Sequence, residues 1–485
     1  MFAKETYIRR RERLKVQVRS GLVLLLGNDE SPRNYAANAY PFRQDSTFLY
    51  FFGLDQPGLA TVLDLDEGTE CLFGDDPSLD DIVWTGPRPL LRDKSHQVGV
   101  ARTAPSKELE RVLSRATKQG RTIHTLPQYR AENARRIADV GRASPHDNVA
   151  WASRPWIEDH GQDARATRAG TLALPSPDLI RAVVEQRSIK SPEEIEQIEI
   201  ALEISSRMQT AAMKMAKPGV LEYEVAGAME GIMASRGVGR AFQPIFSIHG
   251  EIMHNPYYDN RLKAGDIAVN DSGAESPLHY ASDITRTIPI AGRFSLIQRE
   301  VYSIVLDAQA RCIAAATPGV EWRQVHRLAA VALMEGLKEL GLVKGDPQEA
   351  VEEGAHTLFF PCGVGHMMGL DVHDMEPLGE DYVGYTDTIH RNPEFGWRYL
   401  RLAKPVEPGF VITVEPGIYF MPELIDRWRA EGKYRQFIDY ARLEAYRHFG
   451  GIRIEDDILI TADGCRVLGP PIPKTISEVE ALALT

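Results

Sequence analysis

The segment GGIRIEDDILI, residues 450–460, limits what this chain can fold into more than any other stretch. In an extended strand alternate residues share a face, so Ile452 and Ile454 lie on one face while Arg453 and Glu455 lie on the other. A solvated edge strand accounts for this pattern at low cost. The alternative is a buried strand, in which both charged side chains need partners of opposite charge.

The composition is that of a globular, acidic protein. The 485 residues exceed one ordinary core, which predicts two domains. A formal net charge of -12 opposes binding to a nucleic-acid backbone, and no apolar stretch reaches the ~20 residues that span a bilayer. The first residues lack the apolar core of a signal peptide, and the four cysteines are far apart. We therefore expect a cytoplasmic protein with reduced thiols and no nucleic-acid or membrane partner.

The sequence pattern changes near residue 175, which predicts a boundary between domains 1–175 and 176–485. The first domain alternates polar helical segments with short β-type runs, as an α/β domain does. Those runs are GLVLLLG, TFLYFFGL, ATVLDLD and ECLFGDD. The second domain mixes helical periodicity with strand-like segments. We predict its helices at 191–217, 222–236, 296–316 and 322–341, and its strands at 265–290, 356–363, 409–415 and 451–460.

Acidic residues recur at the strand positions of the second domain. Asp271 ends one β-type run and Asp283 opens the next, so a hairpin would place both carboxylates on one side. Glu415 ends the apolar run VITV, and Glu455 lies in the segment described above. An aspartate at a strand end is commonly only a turn or cap residue. Glutamate, however, is rarely buried without a partner.

Two histidines lie in the glycine-rich segment PCGVGHMMGLDVHD, at His366 and His373. The glycine spacing excludes a dinucleotide-binding loop, and a hydrogen-bonded core histidine is the simpler explanation for either residue alone. A buried cluster of four carboxylates would require compensating charge, of which Arg453 supplies one unit. Two divalent cations would supply four, with His366 completing a set of oxygen and nitrogen ligands. On this interpretation Arg453 orients the acids.

These motifs together resemble the aminopeptidase P and prolidase family, whose α+β catalytic domain has the pita-bread fold. The segment YPFRQDSTFLYFFGLDQPG is similar to the non-catalytic domain that precedes it in that family. The resemblance implies two metal ions, usually manganese, held by Asp271, Asp283, His366, Glu415 and Glu455. It also implies that His254 in EIMHN and His373 contact the substrate near the scissile bond. The two aspartates are one residue further apart here than is usual in the family.

The activity that the resemblance implies is hydrolysis of the bond between an N-terminal residue and a following proline. General peptidases handle this tertiary amide poorly, so a dedicated site is needed. Glu415 is our candidate proton acceptor, and His254 or His373 would stabilise the oxyanion or the leaving proline nitrogen.

Two other activities stay open at this stage. Arg401 in YLRLAKPVEPG falls where prolidases bind the carboxylate of a dipeptide, so an Xaa-Pro dipeptidase is the alternative. A pita-bread binding protein without catalysis is a third, although all the ligand positions are filled. Family members commonly form dimers or tetramers, which we expect here too.

Overall fold

The structure is a computed structural model that describes residues 1–142 and 175–485. Within these ranges the chain forms two compact units, Met1–Gln186 and Arg187–Thr485. Residues 143–174 lie outside the described part and directly precede the predicted domain boundary at residue 175, so that boundary stays a prediction. In the described ranges, no helix has the length and apolar character needed to cross a membrane.

The first unit contains five strands and its own set of helices. The strands are β1 (Leu22–Leu26), β2 (Ala60–Asp64), β3 (Thr69–Phe73), β4 (Arg102–Ala104) and β5 (Ile123–His124). The helices are α1 (Lys4–Val18), α2 (Ser46–Phe52), α3 (Leu79–Thr85), α4 (Leu91–Gln97), α5 (Leu109–Lys118), α6 (Ala131–Arg142) and α7 (Pro177–Ser188), whose last residues, Arg187 and Ser188, belong to the second unit.

The five strands form one mixed sheet in the order β4-β3-β2-β1-β5. β2 is antiparallel to β1 and β3, while β4 and β5 join the edges in parallel. Alternate residues of β1, Leu22, Leu24 and Leu26, pack with Leu109 and Leu113 of α5. The predicted α/β class of this domain is therefore confirmed.

The prediction of a β-type run at TFLYFFGL was wrong, because residues 46–52 form helix α2. The Asp45 side chain accepts a hydrogen bond from the Phe48 backbone N–H at 2.9 Å and begins the helix. Gly53, with a φ of 61°, ends it in the left-handed region. Every residue of α2 is buried, and a short run that is apolar on all sides has no periodicity to separate helix from strand.

The second unit is built from eight strands and nine helices within the described residues. The strands are β6 (Ile245–Ser247), β7 (Ile267–Ser272), β8 (Ile284–Pro289), β9 (Val411–Val414), β10 (Gly417–Tyr419), β11 (Gly451–Arg453), β12 (Asp456–Ile460) and β13 (Cys465–Val467). The helices are α8 (Pro192–Met215), α9 (Glu222–Ser235), α10 (Leu296–Ala315), α11 (Trp322–Glu339), α12 (Pro347–Glu352), α13 (Glu380–Gly384), α14 (Pro422–Glu431), α15 (Tyr440–Leu443) and α16 (Ile476–Ala483).

The strands of the second unit form three small antiparallel sheets, β6-β7-β8, β10-β11 and β13-β12-β9. Helices α8 and α9 pack against each other, as do α10 and α11. The predicted helix start at residue 191 is confirmed, since the Glu194 carboxylate accepts a hydrogen bond from the Ser191 backbone N–H at 3.0 Å. The mixture of helices and antiparallel strands confirms the α+β class.

Two strand predictions in this unit need correction. Residues 355–358, which overlap the start of the predicted strand 356–363, form a buried 3-10 helix that begins after Gly354, whose φ is 87°. The predicted single strand at 451–460 is two strands in different sheets, β11 and β12. Their partners β10 and β9 are likewise separated, by Glu415 and Pro416, and proline cannot continue a ladder of backbone hydrogen bonds.

Candidate active site

The hairpin β7–β8 places the two aspartates on one face. Asp271 lies opposite Thr285 in the antiparallel register, and Asp283 is two residues before Thr285, so all three side chains point the same way. Both aspartates are buried. The connection is longer than a tight turn and contains a bridge between Glu275 and Ala281. The two carboxylates therefore keep a common face across this longer connection.

His366 and Glu415 lie near the two aspartates. Glu415 directly follows β9, and His366 belongs to the glycine-rich segment that runs beside this strand. The Thr413 backbone N–H donates to the His366 carbonyl at 3.1 Å, and the Glu415 N–H donates to the Val364 carbonyl at 2.9 Å. These bonds hold the glycine-rich segment alongside β9. As a result, His366 Nε2 lies 3.4 Å from Asp283 Oδ2 and 3.6 Å from Glu415 Oε1.

Glu455 and Arg453 approach from the break between β11 and β12, and both are buried. Arg453 donates to Asp271 Oδ2 at 2.5 Å, to Thr285 Oγ1 at 3.1 Å and to the Tyr419 hydroxyl at 2.9 Å. The Thr285 hydroxyl in turn donates to Glu455 Oε2 at 2.6 Å. The solvated edge strand is thus excluded for these residues, and Arg453 holds Asp271 in place.

The carboxylates repel one another in a site that water does not fully solvate. Burial raises the pKa of Asp283 and of Glu455 well above the ordinary range, and neighbouring carboxylates raise both further. Burial raises the pKa of Glu415 to about 7, with Asp271 adding to the effect and Arg453 opposing it. Burial also lowers the pKa of His366, which favours the neutral imidazole that binds metals.

The donor atoms fit divalent cations. Ligand atoms of Asp283, His366 and Glu455 lie within 4.8 Å of one another. Among the described residues, one oxygen each of Asp271, Asp283 and Glu455 is buried without a hydrogen-bond partner. Buried polar atoms are rarely left in that state, and a cation beside them would neutralise the repulsion. A mixed oxygen and nitrogen set suits manganese, iron, cobalt or zinc.

The non-ligand residues singled out from the sequence lie on the wall of the same cavity, which has a volume of about 710 Å³. His254 is exposed at this wall, and the His373 ring packs edge-on against the His366 ring at 4.4 Å between centroids. Arg401 reaches the wall as well, already paired with carboxylates. The structure thus brings the following predicted residues to one cavity: Asp271, Asp283, His366, Glu415, Glu455, His254, His373, Arg401 and Arg453.

Sequence reasoning missed several residues of this site. Thr285 links Arg453 to Glu455, and its position two residues after Asp283 could have suggested it. Tyr419, in the strand that follows Pro416, accepts a hydrogen bond from Arg453. Glu376 joins His373 to Arg401, with distances of 2.7 and 2.9 Å. Cys362 also lines the cavity. No spacing in the sequence pointed to Glu376 or Cys362.

Comparison with known proteins agrees with this architecture. Residues 196–462 match the model of metallopeptidase family M24, and residues 7–124 match the aminopeptidase P N-terminal domain. Human Xaa-Pro dipeptidase is 31% identical over 95% of this chain and 88% of its own length. A probable Xaa-Pro aminopeptidase PEPP from Uncinocarpus reesii is 30% identical over 96% of this chain and 90% of its own.

Solved structures give the same result. A variant of Escherichia coli aminopeptidase P in complex with substrate has a TM-score of 0.78 and 28% identity, covering 100% of this chain and 98% of that one. Pseudomonas aeruginosa aminopeptidase PepP has a TM-score of 0.78 and 27% identity, with the same coverage. The chain belongs to metallopeptidase family M24. The resemblance to its aminopeptidase P and prolidase members, and the two-domain fold expected from it, are confirmed.

Proposed function

We propose that this protein is a metal-dependent Xaa-Pro aminopeptidase, which hydrolyses the bond between an N-terminal residue and a following proline. The observation that carries the proposal is the convergence of four acids and His366 on one cavity that also exposes His254 and His373. The similarity to aminopeptidase P structures over the whole chain supports it.

Asp271, Asp283, His366, Glu415 and Glu455 would hold two divalent cations, which we propose to be manganese. Bound cations would lower the pKa of a water molecule and polarise the scissile carbonyl. The protein's own contribution begins with the Arg453 hydrogen bonds, which fix Asp271 and, through Thr285, Glu455. Fixed ligands need no reorganisation when the substrate binds.

Glu415 is the proposed proton acceptor. Its carboxylate is at the edge of the cluster, 3.6 Å from His366 Nε2, and its side chain reaches the cavity. An acceptor must lie within hydrogen-bond reach of the attacking water, and this position allows it.

His373 is the proposed proton donor to the leaving proline nitrogen. Its Nδ1 lies 2.7 Å from the Glu376 carboxylate, which can only accept, so Nδ1 carries a proton. When Nε2 is protonated as well, the imidazolium donates the Nε2 proton to the leaving nitrogen while Nδ1 keeps its hydrogen bond to Glu376. His254, which lines the same cavity, is proposed to stabilise the developing oxyanion.

An Xaa-Pro dipeptidase is the second candidate. Human Xaa-Pro dipeptidase is as similar as the aminopeptidase relatives, and Arg401 on the cavity wall offers a guanidinium to a substrate carboxylate. We favour the aminopeptidase because solved structures of aminopeptidases P match over the full chain.

We further propose a cytoplasmic homodimer or homotetramer acting on peptides with proline in the second position. The separated free cysteines and the acidic composition support the cytoplasmic location, and the oligomer rests on the resemblance to the family alone. Size-exclusion chromatography with light scattering would measure the oligomeric state.

The deciding experiment is hydrolysis of Ala-Pro and Ala-Pro-Ala with added manganese and then with a chelator. An aminopeptidase cleaves the tripeptide after alanine and loses this activity with chelator. Cleavage of the dipeptide alone would replace our proposal by a dipeptidase. No cleavage by the manganese-loaded protein would favour a binding protein without catalysis.

A further inference from the structure

The Arg401 guanidinium on the cavity wall is already paired with carboxylates of this chain. Its Nη1 lies 2.9 Å from Glu376 Oε2 and makes a second, closer ion pair with Glu380. Glu380 is also paired with Arg391 at 2.6 Å. Two carboxylates therefore already bind the cation that would receive the carboxylate of a dipeptide.

Glu376 is placed for this contact by local backbone structure. It begins the 3-10 helix Glu376–Leu378, after Met375 in the left-handed region at a φ of 65°. Glu380, four residues later, starts helix α13. Both acids thus project from one short stretch toward Arg401.

The Glu376 side chain is an ionised carboxylate near neutral pH. The hydrogen bond from His373 lowers the pKa of Glu376 to about 2, and the nearby Arg401 charge contributes in the same direction. The side chain is 44% exposed and bonds to His373 and Arg401, which both line the cavity, so a ligand bound at the Arg401 guanidinium lies close to an ionised carboxylate.

We propose that Glu376 is the residue that sets the preference of this cavity between free dipeptides and longer peptides. A dipeptide's carboxylate would have to displace Glu376 from Arg401 or lie next to it, and like charges repel. A substrate with an amide bond after proline carries no charge at that point. The inference rests on the proposed peptidase function and names its substrate class: Xaa-Pro followed by at least one further residue.

The test compares Ala-Pro with Ala-Pro-NH₂, which differ only in that carboxylate. The wild-type protein should give the higher kcat/KM on the amide. Glu376→Gln removes the charge and keeps the shape, and should raise the dipeptide-to-amide ratio of kcat/KM roughly fivefold, mainly through a lower KM for the dipeptide. If the substitution acted only by disturbing His373, kcat/KM would fall by the same factor for both substrates, and the ratio would stay as in the wild type.

Glu335→Gln is the matched control. Glu335 is also 44% exposed and paired with an arginine, Arg311, at 2.8 Å, but that arginine, unlike Arg401, does not line the cavity. This variant should leave the ratio as in the wild type. An unchanged ratio in folded, amide-cleaving Glu376→Gln would overturn the inference.

A second measurement separates this inference from the proposed function, because it needs no turnover. Calorimetric titration of the manganese-loaded protein with proline and with prolinamide should show that Glu376→Gln improves binding of proline relative to prolinamide. Equal relative affinities in both proteins would reject the role of Glu376. Absence of peptide cleavage by the wild type would instead reject the peptidase proposal.

Discussion

At the scale of single residues, Arg453 is the side chain on which the geometry of the site depends most. It contacts Asp271, Thr285 and Tyr419 while almost wholly buried. Arginine offers several donors in a fixed plane, and lysine could not reproduce these three contacts. Arg453, two residues before Glu455 in the sequence, is therefore part of a connected hydrogen-bond network.

Arg453→Met should destabilise the metal-free protein by about 3–5 kcal/mol, because it leaves Asp271 buried beside other acids without a cation. The free energy of unfolding in urea, with chelator present, measures this. Added manganese should restore part of the loss. Arg311→Met, which breaks two exposed ion pairs, should cost about 1 kcal/mol or less. Equal losses in the two variants would contradict the role given to Arg453.

Glu455→Gln should lower the number of metal ions bound per chain. The amide keeps the size of the side chain but gives up the charge, and the Glu455 oxygen that has no partner in the described residues is a proposed ligand. Metal content after gel filtration, measured by mass spectrometry, checks this. Glu480→Gln removes another buried glutamate, paired with Arg299, and should keep the wild-type metal content. If Glu455→Gln binds as many metal ions per chain as the wild type, Glu455 is not a metal ligand.

At the scale of elements, the loop after His366 is held by a buried ion cluster. Asp374 binds Arg187 at 2.6 Å and Lys190 at 2.9 Å, and its backbone N–H donates to the Met367 carbonyl at 2.9 Å. These contacts close the segment that carries both His366 and His373. The positions of the two histidines thus depend on a residue that does not itself line the cavity.

Asp374→Asn should cost about 3–5 kcal/mol, since it removes the buried anion that Arg187 and Lys190 share, although Arg187 keeps its contact with Asp371. Burial alone would raise the pKa of Asp374, but the charges of Arg187 and Lys190 hold it below its ordinary value. The stability contributed is therefore present above the unfolded pKa, about 4, and is lost as pH falls through the lower folded pKa. Urea unfolding from pH 6 to pH 2.5 should show a smaller acid-dependent loss in the variant. Parallel curves would contradict this.

The elements that the sequence predicted well are those with explicit signals at their ends. Helix α8 starts where Ser191, Pro192 and Glu194 indicate, and it ends before Pro218. The acids of the site were identifiable because charge at apolar strand ends is costly. Helix α2 could not be identified from the sequence, because all of its residues are buried and no helical periodicity of apolar and polar residues is visible. The pairing of Arg401 with Glu376 and Glu380 was also beyond prediction, because it depends on how two loops meet in space.

At the scale of the whole molecule, metal content and stability should be linked. Ligands that bind only the folded state add free energy of unfolding, about 2.7 kcal/mol at a concentration of 100 times Kd. Here the gain also includes relief of repulsion among Asp271, Asp283, Glu415 and Glu455.

Chelation should therefore lower the thermal unfolding midpoint, and manganese should restore it in a concentration-dependent way. Differential scanning calorimetry at pH 7.5 measures both. Calcium, which prefers an all-oxygen set, serves as the control and should restore less. A midpoint that is the same with and without chelator would argue against cations at the acid cluster.

The break in pairing at Pro416 puts Glu415 and Glu455 at points where each strand changes sheets, and Asp271 lies on a hairpin far earlier in the chain. During synthesis this centre therefore cannot be completed until residue 455 has left the ribosome and the flanking strands β11 and β12 have paired with β10 and β9. Cation uptake during synthesis would report the closing step of folding in this unit, not an early nucleation event.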